Sequence, residues 1–147
     1  MTQRVVIADA GPLIALARIE ALYLLRQLFG RVCITTTVRD EILPAKAAFA
    51  DANLLVRMLA EGWIDVVALA QTDYRPLNPG VDAGEASSIQ LAKYWREEGR
   101  AVLLVMDDRA ARLEAKHLGL ALIGSANVTN KMRSSTLCVL LLCDSLH

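Results

Sequence analysis

The sequence has no excess of charge of either sign, since sixteen Lys and Arg balance sixteen Asp and Glu. Without a global positive field, contact with nucleic acid would have to come from a local patch. Three cysteines (Cys33, Cys138, Cys143) are too few for a disulfide scaffold, and their odd number suits a reducing compartment. Eight Gly and four Pro exclude a collagen-like fibre or a low-complexity linker, and 22% charged residues exclude a disordered tail. Long apolar runs are also missing. The late run from Leu137 to Cys143 falls far short of the roughly 20 residues a membrane helix needs. The apolar start Val5-Val6-Ile7-Ala8 is interrupted at once by Asp9, so it does not form a signal-peptide core. A soluble, cytoplasmic protein without membrane contact is the expectation. With only His117 and His147, no Ser/His/Asp or Cys/His nucleophile set is evident, and no glycine-rich phosphate loop occurs.

What remains is a chain of 147 residues, 54% hydrophobic, enough for one domain with a real core. Its pattern alternates. Short continuous apolar runs predict buried strands at Val5–Ala8, Val32–Ile34, Ile64–Leu69, Ala101–Met106 and Leu120–Ile123. Between them, helical spacing runs from Leu13 to Leu28 with Gly30 as a stop. A threonine of Thr35-Thr36-Thr37 is placed to cap a short helix over Val38 to Leu43, which Pro44 should end. Further helices are expected over Ala47–Ala60, Asp82–Glu98 and Arg109–His117, with a loop from Gln71 to Gly80. Strands interleaved with helices define an α/β fold with a mainly parallel sheet. The segment Ser125–His147 breaks this style. Its polar half is expected to be a loop, and Leu137–Cys143 an apolar run that must pack on the domain or on a partner subunit. The domain reading is therefore 1–124 for the α/β unit and 125–147 for an atypical tail.

Ligand sites of open parallel sheets lie outside the carboxyl ends of the strands. Asp9 directly follows the first strand, and Asp107 and Asp108 directly follow the fourth. Glu41 lies on the short helix after the second, and Asp82 and Glu85 share one face at the start of the long helix. Four segments thus deliver carboxylates to one sheet edge. Acids without histidines or thiols suit Mg²⁺ or Mn²⁺ and do not suit zinc. Such a site supports phosphodiester hydrolysis. Each acid also has a structural reading: Asp9 as a turn or cap residue, Asp82 as half of a capping arrangement, and Asp107-Asp108 as an N-cap.

The segment Val6 to Leu16, with Asp9 inside Ala8-Asp9-Ala10-Gly11-Pro12, resembles the opening motif of PIN-domain proteins. Thr36 to Leu43 around Glu41, Asp82-Ala83-Gly84-Glu85-Ala86, and Leu103 to Arg112 around Asp107-Asp108 resemble the second, third and fourth motifs, in order. The D-x-G-E third motif is similar to that of the VapC-like toxin ribonucleases. The resemblance implies a three-layer α/β/α fold and Mg²⁺- or Mn²⁺-dependent cleavage of single-stranded RNA. It makes Asp9, Glu41 and Glu85 metal-binding acids, with the fourth drawn from Asp107 or Asp108 and Asp82 in reserve. Relatives carry Thr or Ser two positions before the fourth acid, where Met106 stands if that acid is Asp108. They also usually follow the counterpart of Ile123-Gly124 with Thr-Leu-Gly and a basic helix, which Ser125–His147 does not resemble. The family further implies a small antitoxin protein as partner and a homodimer, the latter also suggested by apolar excess at Leu22, Tyr23, Leu25, Leu28, Phe29 and in the Ala47–Ala60 helix.

Two other classes compete with a toxin ribonuclease: a catalytically impaired PIN-fold binding module, and a phosphatase-like hydrolase using the same acids. Arg109, Arg112 and Lys116, at helical spacing beside the fourth motif, read either as a phosphate grip or as a solvated basic face, and Arg39 and Lys46 beside Glu41 read the same way. The Cys138, Cys143 and His147 spacing offers too few ligands for a zinc centre.

Overall fold

The structure, a computed structural model, describes residues 4–45, 52–70 and 73–131. The elements follow in the order β1 (Val5–Ala8), α1 (Ala10–Arg18), α2 (Tyr23–Phe29), β2 (Val32–Thr35), α3 (Thr36–Ala45), α4 (Ala52–Ala60), β3 (Ile64–Val67), α5 (Ala83–Glu97), β4 (Val102–Val105), α6 (Arg109–His117) and β5 (Ala121–Ile123). The strands pair in the order β3-β2-β1-β4-β5, and every pairing is parallel.

Alternation along β1 and β4 explains the layering. Val6, Ala8, Leu103 and Val105 face a core built with α1, α2, α3 and Met58 of α4. Ile7 and Leu104 point to the other side, against Ile89, Leu91 and Ala92 of α5 and Ala111 and Ala115 of α6. A parallel sheet buried on both faces needs apolar residues at consecutive positions, which is why β1 and β4 read as unbroken apolar runs. The result is the expected three-layer α/β/α arrangement. Among the described residues, no helix is long and apolar enough to cross a membrane.

Three local expectations are corrected. The helix expected from Leu13 to Leu28 is two helices, because α1 ends in a Schellman turn. The Glu20 amide donates to the Ala17 carbonyl at 3.1 Å and the Ala21 amide to the Leu16 carbonyl at 2.8 Å. Glu20 takes the left-handed conformation this turn requires (φ 55°), a position more often filled by glycine. Pro44 does not end α3, which runs through it to Ala45; in a last turn proline forfeits only one hydrogen bond. Residues 125–131 are helical instead of a loop, with Val128 fully buried in the core beneath α1 to α4. The run Leu137–Cys143 lies outside the described residues. Of the apolar side chains that suggested a dimer, Leu22 and Leu25 are fully buried and Leu28 and Phe29 pack on the core, while Tyr23 and, on α4, Val56 are exposed; the side chains of residues 44–55 lie outside those described.

Candidate acidic site at the carboxyl edge of the sheet

The chain runs from β1 through α1 toward β2 on one side, and reaches β4 on the other side of β1. The end of β1 is therefore the topological switch point, where a crevice opens between diverging connections. Asp9 occupies that point. Its amide donates to the Val105 carbonyl at 3.0 Å, extending the β1–β4 ladder by one bond.

Asp9 holds the N-cap position of α1 with extended backbone, but its side chain makes no capping hydrogen bond. The residue is only 4% exposed, and Oδ1 is buried with no hydrogen-bond partner. Burial pushes its carboxyl up to about 7; the Ala10 amide opposes the rise, and the charges of Glu85, Asp82 and Glu41 add to it. A buried carboxylate oxygen without a donor is costly in a protein interior. The turn-or-cap reading of Asp9 leaves that atom unexplained.

Glu85 and Asp82 cap α5 reciprocally. The Glu85 amide donates to Asp82 Oδ1 at 2.9 Å, and the Asp82 amide donates to Glu85 Oε2 at 2.9 Å. The structural reading of this pair is thus correct, yet the cap leaves Glu85 Oε1 out. Glu85 is buried, and its carboxyl is raised by desolvation and by the charges of Asp82, Asp108 and Glu41. Glu41 reaches over the same helix start. A Cβ placed on Gly84 would fall 2.6 Å from Glu41 Oε2, and closer still to Oε1. Desolvation and the Asp82 charge raise the Glu41 carboxyl, while the Gly84 amide holds it down. Glycine is therefore required at position 84 for Glu41 to lie against the first turn of α5.

The two aspartates after β4 part company. Asp108 caps α6, with Oδ1 accepting from the Ala111 amide at 3.0 Å, and its charge acts on Glu85. Asp107 turns to the helical segment 125–131: Oδ1 accepts from the Ser125 amide and Oδ2 from the Ser125 hydroxyl, both at 2.7 Å. Asp9, Glu41, Asp82, Glu85 and Asp108 thus share one electrostatic neighbourhood, and Asp107 serves an adjoining helix start. Met106 is fully buried among the α5–α6 core residues.

Among the described residues, no three His, Cys, Asp or Glu side chains are gathered closely enough to coordinate one ion as they stand. The donor set nevertheless fits a hard divalent cation. It is all oxygen, its members repel one another, and one oxygen of Asp9 is buried without a partner.

Three structural roles escaped sequence reasoning. Thr35 and Ser87, both buried, hydrogen-bond at 2.7 Å between the starts of α3 and α5. Glu114, 4% exposed, accepts from Tyr74 Oη at 2.7 Å, Leu77 N at 2.8 Å and Asn78 N at 3.3 Å, and so pins the loop that leads to Asp82. The signal for Glu114 was its place between Ala111 and Ala115 on the buried stripe of α6. Arg112, read as a phosphate grip or a solvated face, instead donates to the Met106 carbonyl at 2.9 Å and ties α6 to the end of β4. Arg39 pairs with its neighbour Asp40 at 3.1 Å, while Arg109 and Lys116 are exposed.

A parallel α/β domain with acids converging at the β1 switch point defines a nuclease-type scaffold. A family model described as PIN domain matches residues 5–139, and the chain belongs to that family. PIN domains are generally nucleases and typically use divalent metals. The match crosses Gly124 and takes in the helical segment 125–131. Among solved structures, the chain is similar to a PilT N-terminus domain protein from the hyperthermophilic archaeon Sulfolobus solfataricus P2. The TM-score is 0.60 at 16% identity, over 86% of this chain and 91% of the other. No curated protein matches the sequence.

Proposed function

We propose that the protein is a Mg²⁺- or Mn²⁺-dependent endoribonuclease that cuts single-stranded RNA, the toxin of a VapC-like toxin–antitoxin pair. The observation that carries this reading is the buried, unpartnered Oδ1 of Asp9 beside the charges of Glu85 and Glu41. Asp9, Glu41, Glu85 and Asp108 would hold the cation. Asp108 is preferred over Asp107 because both Asp107 oxygens are engaged by Ser125. A divalent cation bound there supplies Lewis-acid activation and neutralises charge developing on the phosphodiester. The chain's own residues do the positioning. Gly84 admits the Glu41 carboxylate, and the Asp82 amide fixes Glu85 by one oxygen while the other stays out of the cap. Arg109, exposed in the first turn of α6 next to Asp108, would meet an RNA phosphate.

A small antitoxin would hold the toxin inactive, and two copies would pair as a homodimer in the cytoplasm. The rival reading is a catalytically impaired PIN-fold binding module. The test is cleavage of a single-stranded RNA with Mn²⁺ or Mg²⁺, with chelator, and with Asp9→Asn. Metal-dependent cutting that falls at least about 10²-fold in the variant supports the nuclease. RNA binding without cutting under every condition points to the binding module. Hydrolysis of small phosphate esters in place of RNA points to a phosphatase-like enzyme.

A further inference from the structure

The opposite edge of the sheet carries a different chemistry. A cavity of about 780 Å³ opens where β1, β2 and β4 begin, against the end of α2 and the last turns of α5. Arg4, Arg31 and Arg100 line it, together with Trp95, Phe29 and the half-buried Cys33, and among the described residues no acidic one is in its lining. In a chain of zero net charge, this concentrates three cations against apolar wall. We propose that this cavity is a second binding site, for a nucleoside monophosphate.

Three features select that class. The guanidinium fork matches a phosphate in geometry and charge. Arg31 can supply it in exchange for its pairing with Asp65 at 3.5 Å, which is solvent-exposed (70% and 40% for the two side chains) and therefore weak. The Val5 and Val32 amides at this edge already donate to the Ala101 and Trp63 carbonyls at 2.8 and 3.1 Å, which leaves the guanidinium groups as the phosphate's partners in this proposal. Second, aromatic rings border the cavity from both faces of the sheet, Phe29 on the α1–α4 side and Trp95 on the α5–α6 side. The Arg100 guanidinium lies 5.0 Å from the Trp95 ring centroid, an arrangement that takes a flat, electron-rich ring. Third, the volume lies within the range of small-molecule sites and suits a mononucleotide. Cys33 is no nucleophile here: burial and the Asp65 charge push its thiol up, against Arg100 and Arg31. The site is therefore for binding. It is separated from the acidic crevice by the length of the strands and does not depend on the nuclease reading.

The experiment uses the full chain in EDTA, so that the acidic edge is not engaged through metal. AMP, adenosine and inorganic phosphate are each titrated while the two tryptophan indole N–H resonances are followed by NMR. Trp95 lines the cavity and Trp95→Phe assigns its resonance; Trp63, whose carbonyl accepts from the Val32 amide at the same edge, is followed but is no reference. Expected are a saturable shift of Trp95 with AMP at a dissociation constant of about 1 mM or tighter, and weaker binding of both adenosine and phosphate. Arg31→Gln with Arg100→Gln should weaken AMP at least about tenfold at unchanged Tm, both side chains being exposed. No Trp95 shift with AMP would overturn the proposal. So would AMP binding that survives the double substitution, or phosphate binding as tightly as AMP, which would mark a bare anion site.

Discussion

Thr35 Oγ1 and Ser87 Oγ lie 2.7 Å apart in the buried layer between α3 and α5, and they form the middle of a directional chain. The Val38 amide donates to Thr35 Oγ1 at 3.1 Å, and Ser87 Oγ donates to the Gly84 carbonyl at 2.6 Å. The Thr35 hydroxyl must then donate to Ser87. One end of the chain is the first turn of the helix that carries Glu41. The other is the residue against which the Glu41 carboxylate rests. Two acid-bearing helices are thereby locked in register beneath the site.

Breaking that lock should be felt in metal binding as well as in stability. Thr35→Val keeps the shape but strands the Val38 amide, at about 1–3 kcal/mol by denaturant unfolding. Mn²⁺ affinity should fall about tenfold, as for removal of other groups that orient ligands. Thr35→Ser should restore both. An unchanged Mn²⁺ affinity in a destabilised Thr35→Val protein would show that the pair is structural only.

Gly84→Ala separates the two quantities in the other direction. Alanine favours a helical first turn by up to about 1 kcal/mol over glycine, but its Cβ displaces the Glu41 carboxylate. The expected signature is a Tm held or raised, with metal affinity and RNA cleavage reduced at least about tenfold. Full affinity in this variant would remove Glu41 from the cation site.

The raised carboxyl of Asp9 makes the metal-free protein less stable as pH rises. The folded state holds the Asp9 proton more tightly than the unfolded chain, at about 7 against 3.8. Stability is thus full below about pH 4, declines through about pH 7, and levels off above. Desolvation of Glu41 and Glu85 acts in the same direction. At pH 8 the ionised Asp9 costs up to about 4 kcal/mol at 1.36 kcal/mol per pKa unit. Asp9→Asn should therefore raise the metal-free Tm by several degrees at pH 8 and leave it unchanged near pH 4, as thermal scans in EDTA will show.

The adjacent aspartates should behave oppositely. Asp107→Asn weakens the hold on Ser125, so it should loosen the segment 125–131 to proteolysis while sparing metal affinity. Asp108→Asn keeps an N-cap for α6 and should lower metal affinity with little change in Tm. The reverse pattern would assign the fourth acid to Asp107.

The strands were legible because a doubly covered parallel sheet needs continuous apolar runs, and Val5–Ala8 and Val102–Val105 supply them without interruption. The helix stops at Gly99 and Gly119 were legible too, since both take positive φ at the turn that closes a helix. Glu20 makes the same turn without glycine, so the break between α1 and α2 left no mark in composition. The helix at 125–131 was hidden for a different reason. Its start is stabilised by Asp107, 18 positions away, a contact no local pattern contains. Within the site, the acids were visible by type and by their places at strand ends. The division of labour between Asp107 and Asp108, and the Thr35–Ser87 tie between helices, depend on tertiary neighbours and emerge only from the fold.

The central claim is that the unpartnered Asp9 oxygen exists to meet a cation. Calorimetric titration of Mn²⁺ into the metal-free protein and into Asp9→Asn, at pH 8, tests it most directly. Expected is saturable binding to the wild type, weakened at least about 10²-fold in the variant, and weakened in the wild type below pH 7 as a proton competes for Asp9. Equal Mn²⁺ binding by the two proteins, or none by the wild type, would contradict it.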